Sequence, residues 1–177
     1  QRTSVGLPPS PPELMLHTGC APYAASLYAC GTLSMIKRWH HRWLGNIYEW
    51  AGQKRTVNIS KGGFMFAPAA QLPKLLNQFD AQYLAKYTPC SGMTRTQLIE
   101  AIAIVHVELI LIHPFREGNG RLSRLLADIM AVQGGLQPLN YKIWEQNKAQ
   151  YIVAIHAGLN MNYEPMKYWV SKALKNN

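Results

Sequence analysis

The hydrophobic positions of the chain recur with helical spacing over most of its length. Between Leu33 and Trp43 apolar residues return every three or four positions, so a helix would place them on one face. The same spacing runs through Leu72–Leu84 and stops near Pro89. It also predicts two later helices, from Tyr141 to about Leu159 and from Glu164 to about Leu174.

One segment, Leu98–Ile112, is apolar nearly all round, which predicts the central buried helix of a bundle. Thr94 is suited to cap its start, and Pro114 should end it, because the residue before a proline is pushed out of helical geometry. A further helix is expected from about Gly120 until the pair Gly134-Gly135. Its predicted apolar side consists of Leu122, Leu125, Leu126, Ile129 and Met130.

The segment around Gly62-Gly63 follows a different pattern. Val57 and Ile59 alternate with polar residues before the glycines, and Phe64 and Phe66 alternate after them. Two short alternating runs across a Gly-Gly turn predict a β-hairpin. The predicted fold class is therefore mostly α with one short hairpin.

Composition adds few restrictions. A chain of 177 residues that is 48% hydrophobic suits one globular domain, expected over residues 33–177. Residues 1–32 are predicted to form a lead-in that is proline-rich at its start. No window of 18 uncharged apolar residues is present, so we expect no membrane span. Three cysteines are interpreted as free thiols in a reducing compartment.

The formal net charge of +9 fits either a nucleic-acid surface or a site for a polyanionic small molecule. Lysine and arginine are spread along the chain rather than clustered, and no groove-reading helix motif is present. Nucleic-acid binding is therefore the less favoured interpretation.

The stretch HPFREGNGRLSR, residues 113–124, joins the two predicted helices and points to the small-molecule site. Gly118 and Gly120 permit positive φ and close approach of a phosphate to the N-terminus of the second helix. Asn119 offers a side-chain amide. Arg121 and Arg124 share a helix face and suit successive phosphates.

Two further residues complete this hypothesis. Glu117 would be out of place against bare phosphates unless a cation lay between them, as Mg²⁺ does in many nucleotide sites. His113 lies where a neutral imidazole can take a proton. The residues thus predict a Mg²⁺-nucleotide site with a histidine general base, the alternative being a glycine-rich turn with exposed charges.

This stretch resembles the signature of the Fic (Fido-domain) family, His-x-Phe-x-(Asp/Glu)-Gly-Asn-Gly-Arg-x-x-Arg, with every fixed position filled. NIYEWAGQKRTVNISKGGFMFAPAAQL resembles the segment carrying the family's active-site hairpin, the flap, and YIVAIHAGLNMNYEPMKYWVSKAL its C-terminal helices. The resemblance covers Leu33–Leu174. It implies a Fic-type helical bundle with a short β-hairpin flap.

The resemblance implies a nucleotidyltransferase, a protein adenylyltransferase that passes AMP from ATP to a Tyr, Thr or Ser hydroxyl of a target protein. The related Doc proteins phosphorylate and carry Ala-Asn-Lys where this chain has Gly-Asn-Gly, which favours AMP transfer here. The resemblance implies that His113 is the base, Glu117 the Mg²⁺ ligand and Phe115 the anchor of the loop. It also implies that Gly118, Asn119 and Gly120 contact the α-phosphate. Arg121 would contact the β-phosphate, and Arg124 the γ-phosphate.

The flap and the base pocket are less specific in sequence. A target segment would pair with the hairpin edge, with Lys61 and Phe64 as clamps; the alternative is that the hairpin's apolar side chains are core. Tyr141 and Trp144 would stack on adenine or, equally, pack between helices, and Asn160 and Asn162 are further pocket candidates. The predicted docking residues are Thr56, Val57, Asn58, Ile59, Ser60 and Lys61.

Many Fic proteins are restrained by a helix bearing (Ser/Thr)-x-x-x-Glu-(Gly/Asn), whose glutamate pairs with the second motif arginine, here Arg124. Thr96–Glu100 comes closest, but Ala101 follows it. A separate antitoxin or a missing region would supply such a helix, or the enzyme is unrestrained. We predict constitutive activity, in a bacterial cytoplasm or, for a secreted effector, a host cytosol. Alternatives are transfer from another nucleotide such as UTP and a silent nucleotide-binding module.

Overall fold

The fold is built around one long apolar helix, Arg95–Ile112, which contacts most of the other helices. The computed structural model describes residues 31–174. None of the helices in that range is both long and apolar enough to cross a bilayer. In chain order the α-helices and β-strands are α1 (Leu33–Leu44), β1 (Ser60–Lys61), β2 (Phe64–Met65), α2 (Leu72–Gln78), α3 (Ala85–Tyr87), α4 (Arg95–Ile112), α5 (Asn119–Gln133), α6 (Lys142–Gln146), α7 (Lys148–Ala157) and α8 (Glu164–Ala173).

The central helix α4 is buried as its sequence predicts. Thr94 caps it, accepting a hydrogen bond from the Gln97 N–H while the Gln97 side chain accepts from the Thr94 N–H. Its main neighbours are α5 and α8. His106 is fully buried there and is hydrogen-bonded at both ring nitrogens, to Ser123 and to the Tyr151 hydroxyl, so it is a core histidine.

The two helices that flank the 113–118 loop have the predicted bounds. The helix α4 ends before His113, whose φ of 51° is left-handed, and Pro114 follows. The helix α5 begins at Asn119 and ends before Gly134. Its five predicted core side chains are all buried. The loop is therefore held between two well-packed helices.

The predicted hairpin is confirmed, although it is shorter than the alternation suggests. Ser60 pairs with Met65 and Lys61 with Phe64. Gly62 and Gly63 both have positive φ, 59° and 80°, as a tight turn of this kind requires. Val57 lies before the strand and is 51% exposed, so it is not core.

The prediction of one helix from Tyr141 to Leu159 is wrong. The helix is interrupted at Asn147, whose φ of −118° and ψ of 41° are not helical and separate α6 from α7. The Asn147 side chain donates to the Ile143 carbonyl, and such local bonds compete with helix continuation. The predicted lead-in, Cys20 and Cys30 fall mainly or wholly outside the described residues, whereas Cys90 is a free buried thiol.

Candidate active site

His113 lies at the C-terminal end of α4, and one of its ring nitrogens is hydrogen-bonded to the backbone. Its Nδ1 lies 3.1 Å from the Ile110 carbonyl oxygen, which can only accept, so Nδ1 carries the proton in the neutral ring. Nε2 is then left as the basic nitrogen. Burial lowers the pKa of His113 to about 4, and the positive charges of Arg55 and Lys61 act in the same direction. The imidazole is therefore neutral at physiological pH, with the lone pair of Nε2 unprotonated.

One face of the His113 ring is covered by the hairpin. The Phe66 ring stacks on it with centroids 3.6 Å apart and planes at 14°. Phe64 contacts Phe66 edge-on and itself stacks on His156 of α7. These four rings join the hairpin to two helices. Sequence alternation placed the phenylalanines in the hairpin but did not reveal their contact with the histidine.

The N-terminus of α5 has the open backbone N–H groups that the predicted anion site requires. The N–H groups of Asn119, Gly120 and Arg121 occupy the first helical turn, where no carbonyl lies four residues back to accept them. Gly118 has φ of 82°, and a Cβ there would lie 2.6 Å from Trp43 Cζ3, so two constraints require glycine. Gly120 is helical, which corrects the expectation of positive φ, but the space beside it is open.

Asn119 has a different role from the predicted one. It is buried, its Oδ1 accepts from the Phe115 N–H at 2.9 Å, and its Nδ2 donates to the Phe115 carbonyl at 2.8 Å. The side chain therefore closes the loop and does not present its amide to a ligand. Phe115 is fully buried, as predicted for an anchor.

The two arginines are held close to the loop by carboxylates and rings. Arg121 pairs with Glu117 at 3.2 Å and lies over the Trp43 ring at 4.4 Å. Arg124 pairs with Glu145 of α6 at 3.0 Å and lies over the Tyr141 ring at 5.0 Å. Both ion pairs are exposed and are therefore weak enough for phosphates to replace them.

Glu117 is the one acidic side chain of the motif. It accepts from the Gly118 N–H at 2.8 Å, as well as pairing with Arg121. Within residues 31–174 no cluster of three His, Cys, Asp or Glu side chains forms a metal site. A single carboxylate fits Mg²⁺ that is bound chiefly by nucleotide phosphates, since that ion commonly takes one or two carboxylates.

The predicted stacking role of Trp144 is wrong. Its side chain is 1% exposed and its Nε1 donates to the Trp169 carbonyl, so it is core. Tyr141 donates its hydroxyl to Asp128 and lies beside the Arg124 side chain, so it supports that arginine. Asn162 accepts from the Glu164 N–H at the start of α8, and Asn160 is exposed. The described contacts thus give no adenine platform.

His40 contributes a buried contact that sequence reasoning missed. It is fully buried against the loop and stacks on Phe115, with ring centroids 3.9 Å apart. Its Nδ1 accepts from the Gly52 N–H, so Nε2 donates to the Glu117 carbonyl at 3.0 Å. Burial lowers its pKa. A pair of histidines between tryptophans does not indicate in sequence that one of them contacts the loop.

Arg55 is the other missed residue. It is 1% exposed, although an arginine in a polar segment is normally at the surface. Its guanidinium bonds backbone carbonyls on both sides of the hairpin and at the end of α4. The sequence offered no feature that separates it from exposed arginines.

Known proteins resemble this chain in sequence and in fold. This chain is 30% identical over 139 residues to protein adenylyltransferase fic-1 of Caenorhabditis briggsae, an alignment that covers 77% of this chain and 26% of that protein. Protein adenylyltransferase VbhT of Bartonella schoenbuchensis is 36% identical, covering 52% and 19%. The chain thus spans about a quarter or less of these relatives.

Among solved structures, the fold resembles BepC of Bartonella tribocorum, a structure with bound AMPPNP. The TM-score is 0.68 at 22% identity, covering 82% of this chain and 75% of that one. Residues 31–131 match the model of the Fic/DOC family, which is more than half of the chain. The chain therefore belongs to the Fic/DOC family.

Proposed function

We propose that this chain is a protein adenylyltransferase that transfers AMP from ATP to a hydroxyl side chain of a target protein. The observation that carries the proposal is the fixed tautomer of His113, which leaves Nε2 basic close in sequence to the open N-terminus of α5. Support also comes from the names of the two relatives and from the ATP analogue bound to BepC.

The reaction is a displacement at the α-phosphorus of ATP. The target hydroxyl oxygen forms a bond to that phosphorus, the bond to the bridging oxygen of the β-phosphate breaks, and pyrophosphate leaves. His113 Nε2 takes the hydroxyl proton. The N–H groups of Asn119, Gly120 and Arg121 would stabilise the charge that develops on the phosphoryl oxygens.

The two arginines and Glu117 account for the rest of the nucleotide. Arg121 and Arg124 exchange their exposed carboxylate partners for the β- and γ-phosphates. Glu117 would hold Mg²⁺, which supplies charge neutralisation of the phosphates. Positioning and electrostatics suffice for phosphoryl chemistry of this kind.

The hairpin is suited to present the target. Residues 56–58 are exposed and so are Ser60 and Lys61, while Ile59 is half-buried. An extended target segment would add main-chain hydrogen bonds at this edge and bring its hydroxyl beside the base. The target protein would then be selected by backbone shape more than by side-chain pockets.

The test uses α-³²P-ATP and Mg²⁺ with a cell lysate, comparing the wild type with His113→Ala. Transfer of AMP labels protein bands with the wild type alone, while both proteins bind ATP with similar affinity. Repeating the assay with γ-³²P-ATP separates AMP transfer from phosphorylation, and unlabelled UTP in competition tests nucleotide choice. Equal labelling by the wild type and His113→Ala would contradict the proposal, and ATP binding with no label would leave a silent nucleotide-binding module.

We also propose that this chain alone is active, because no restraining motif was found in its sequence. The Arg124–Glu145 pair is exposed, so it is a weak competitor of phosphate and not a lock. A separate antitoxin remains a predicted partner. Its effect would be read as loss of label when the candidate protein is added to the wild type.

A further inference from the structure

Arg55 is a buried cation whose partners are all backbone carbonyls. Its Nε donates to the His113 carbonyl at 2.7 Å and its Nη1 to the Val57 carbonyl at 2.7 Å. Its Nη2 donates to the Ala67 carbonyl and, at 3.3 Å, to the Ile112 carbonyl. Every nitrogen of the guanidinium thus has a carbonyl partner.

This arrangement is unusual because no carboxylate neutralises the charge. In the part of the chain that the structure describes, Arg55 forms no ion pair. Burying an unpaired cation is costly, and burial lowers the pKa of Arg55. The partial negative charge at the C-terminus of α4, where Ile112 and His113 lie, offsets part of that cost. Such a residue contributes less to stability than its bonds suggest, which points to a second role.

The acceptors show what Arg55 connects. Val57 lies before β1 and Ala67 lies after β2, so the guanidinium holds both ends of the hairpin. The third partner is the carbonyl of His113 itself, in its left-handed conformation. The Arg55 N–H also donates to the Pro114 carbonyl at 2.8 Å. One side chain therefore joins the flap to the backbone of the proposed base.

We propose that Arg55 is a positioning residue that fixes the flap and His113 as one unit, so that a hydroxyl presented by the hairpin stays within reach of Nε2. This inference rests on the proposed function. Without Arg55, the hairpin would keep its two-strand pairing but lose its fixed distance from the imidazole. A change of about 1 Å in such a distance costs about a hundred-fold in rate.

The charge of Arg55 supports the same role. Burial is the main cause of the lowered pKa of His113, and Arg55, together with Lys61 of the hairpin, disfavours the imidazolium further, whereas the Ile110 carbonyl and Glu117 act in the opposite direction. The uncharged Phe66 ring packs on the same imidazole. Arg55 therefore helps to keep the base neutral while it holds the base in place.

The decisive variants are Arg55→Lys, which keeps the charge but loses the planar fork, and Arg55→Met, which loses both. Arg95→Lys is the matched control, since Arg95 also donates to a carbonyl, that of Leu174, but lies at the other end of α4. We expect kcat for AMP transfer to fall about a hundred-fold in both Arg55 variants, with Kd for ATP within about two-fold of the wild type. The control should keep wild-type kcat.

A second readout separates positioning from mere stability. The pKa and tautomer of His113 are followed by NMR of ¹⁵N-labelled imidazole, which needs no activity. Loss of the cation raises the pKa of His113 in Arg55→Met but leaves it low in Arg55→Lys. A folded Arg55→Lys with kcat within two-fold of the wild type overturns the inference, as does an unchanged His113 spectrum in folded Arg55→Met.

The two proposals fail in different ways. If wild type transfers no AMP, the proposed function fails while the NMR comparison still tests the coupling of Arg55 to His113. If Arg55→Met does not fold, Arg55→Lys decides the case. If both variants lose activity only in proportion to their unfolded fraction, Arg55 is structural and the inference is wrong.

Discussion

The ring of Phe66 lies flat against the ring of His113, with centroids 3.6 Å apart. A hairpin residue thus packs directly on the proposed base, although 47 positions separate the two in sequence. The stack limits rotation of the imidazole and excludes water from one face. The hairpin is therefore part of the proposed catalytic geometry and not only the proposed docking surface for the target.

Replacing this ring should slow the reaction without preventing folding. Phe66→Leu removes an aromatic contact of about 1 kcal/mol. We therefore expect kcat/KM to fall several-fold, and by no more than about ten-fold. The matched control is Phe64→Leu, because Phe64 contacts Phe66 but stacks on His156 instead of His113. Steady-state kinetics of both variants check this; an equal loss in the two would contradict a specific role of the stack.

Asn119 should act through the loop and not through the nucleotide. Asn119→Ala leaves the buried N–H and carbonyl of Phe115 without partners, so we expect a loss of about 1–3 kcal/mol in the free energy of unfolding. Urea denaturation measures the loss, and Asn58→Ala, at an exposed side chain that accepts only from the Ala69 N–H, is the control. Reduced ATP affinity with unchanged stability would instead indicate a phosphate contact.

In the wild type, Glu145 should weaken ATP binding slightly, because it competes with the phosphates for Arg124. Glu145→Gln frees Arg124 from an exposed ion pair worth up to about 1 kcal/mol, so the Kd for ATP should fall by up to about five-fold. Calorimetric titration measures it. Glu164→Gln breaks a comparable exposed pair with Lys167, away from the motif, and should leave the Kd unchanged. An unchanged Kd in Glu145→Gln would show that Arg124 does not reach the phosphates.

Stability should decrease in acid because buried histidines are neutral. Burial lowers the pKa of His106 to about 4, below its unfolded value, so the unfolded state binds more protons between about pH 6.5 and pH 4. The free energy of unfolding therefore decreases as the pH falls through this window. For His106 alone the loss between pH 7 and pH 5 is about 2 kcal/mol.

Urea denaturation at the two pH values checks this prediction. The variant His106→Gln should show a smaller loss than the wild type, because its side chain does not titrate. His113 and His40 also have lowered pKa values and act in the same direction, so the difference between the two proteins isolates His106. Equal losses would mean that His106 is not buried as a neutral ring.

Much of this architecture could be predicted because it depends on local pattern. The apolar content of Leu98–Ile112, the Thr94 cap, Pro114 and the Gly62-Gly63 turn each specify an element within a few residues. The chemistry of the loop was similarly local, since its glycines and arginines adjoin a helix start. Asn147 was harder, because an asparagine within a helical period does not reveal whether it will bond its own backbone.

The residues that hold the site together could not be predicted in this way. His40 and Arg55 are polar, lie in polar surroundings in the sequence, and meet the loop only after folding. Trp144 shows the opposite error, since an aromatic residue near the arginines suggested a ligand but packs in the core. Burial of a single side chain depends on contacts across the whole bundle, which periodicity does not encode.

The Arg55 contacts have a consequence for how members of this family are sorted. A search with the twelve-residue signature finds the groups that would touch nucleotide, yet it ignores the side chain that holds the base against the flap. A relative could keep every signature position and still have lost this support. If Arg55 positions the base as proposed, inspection of the equivalent position would identify relatives that keep the signature but lack this support.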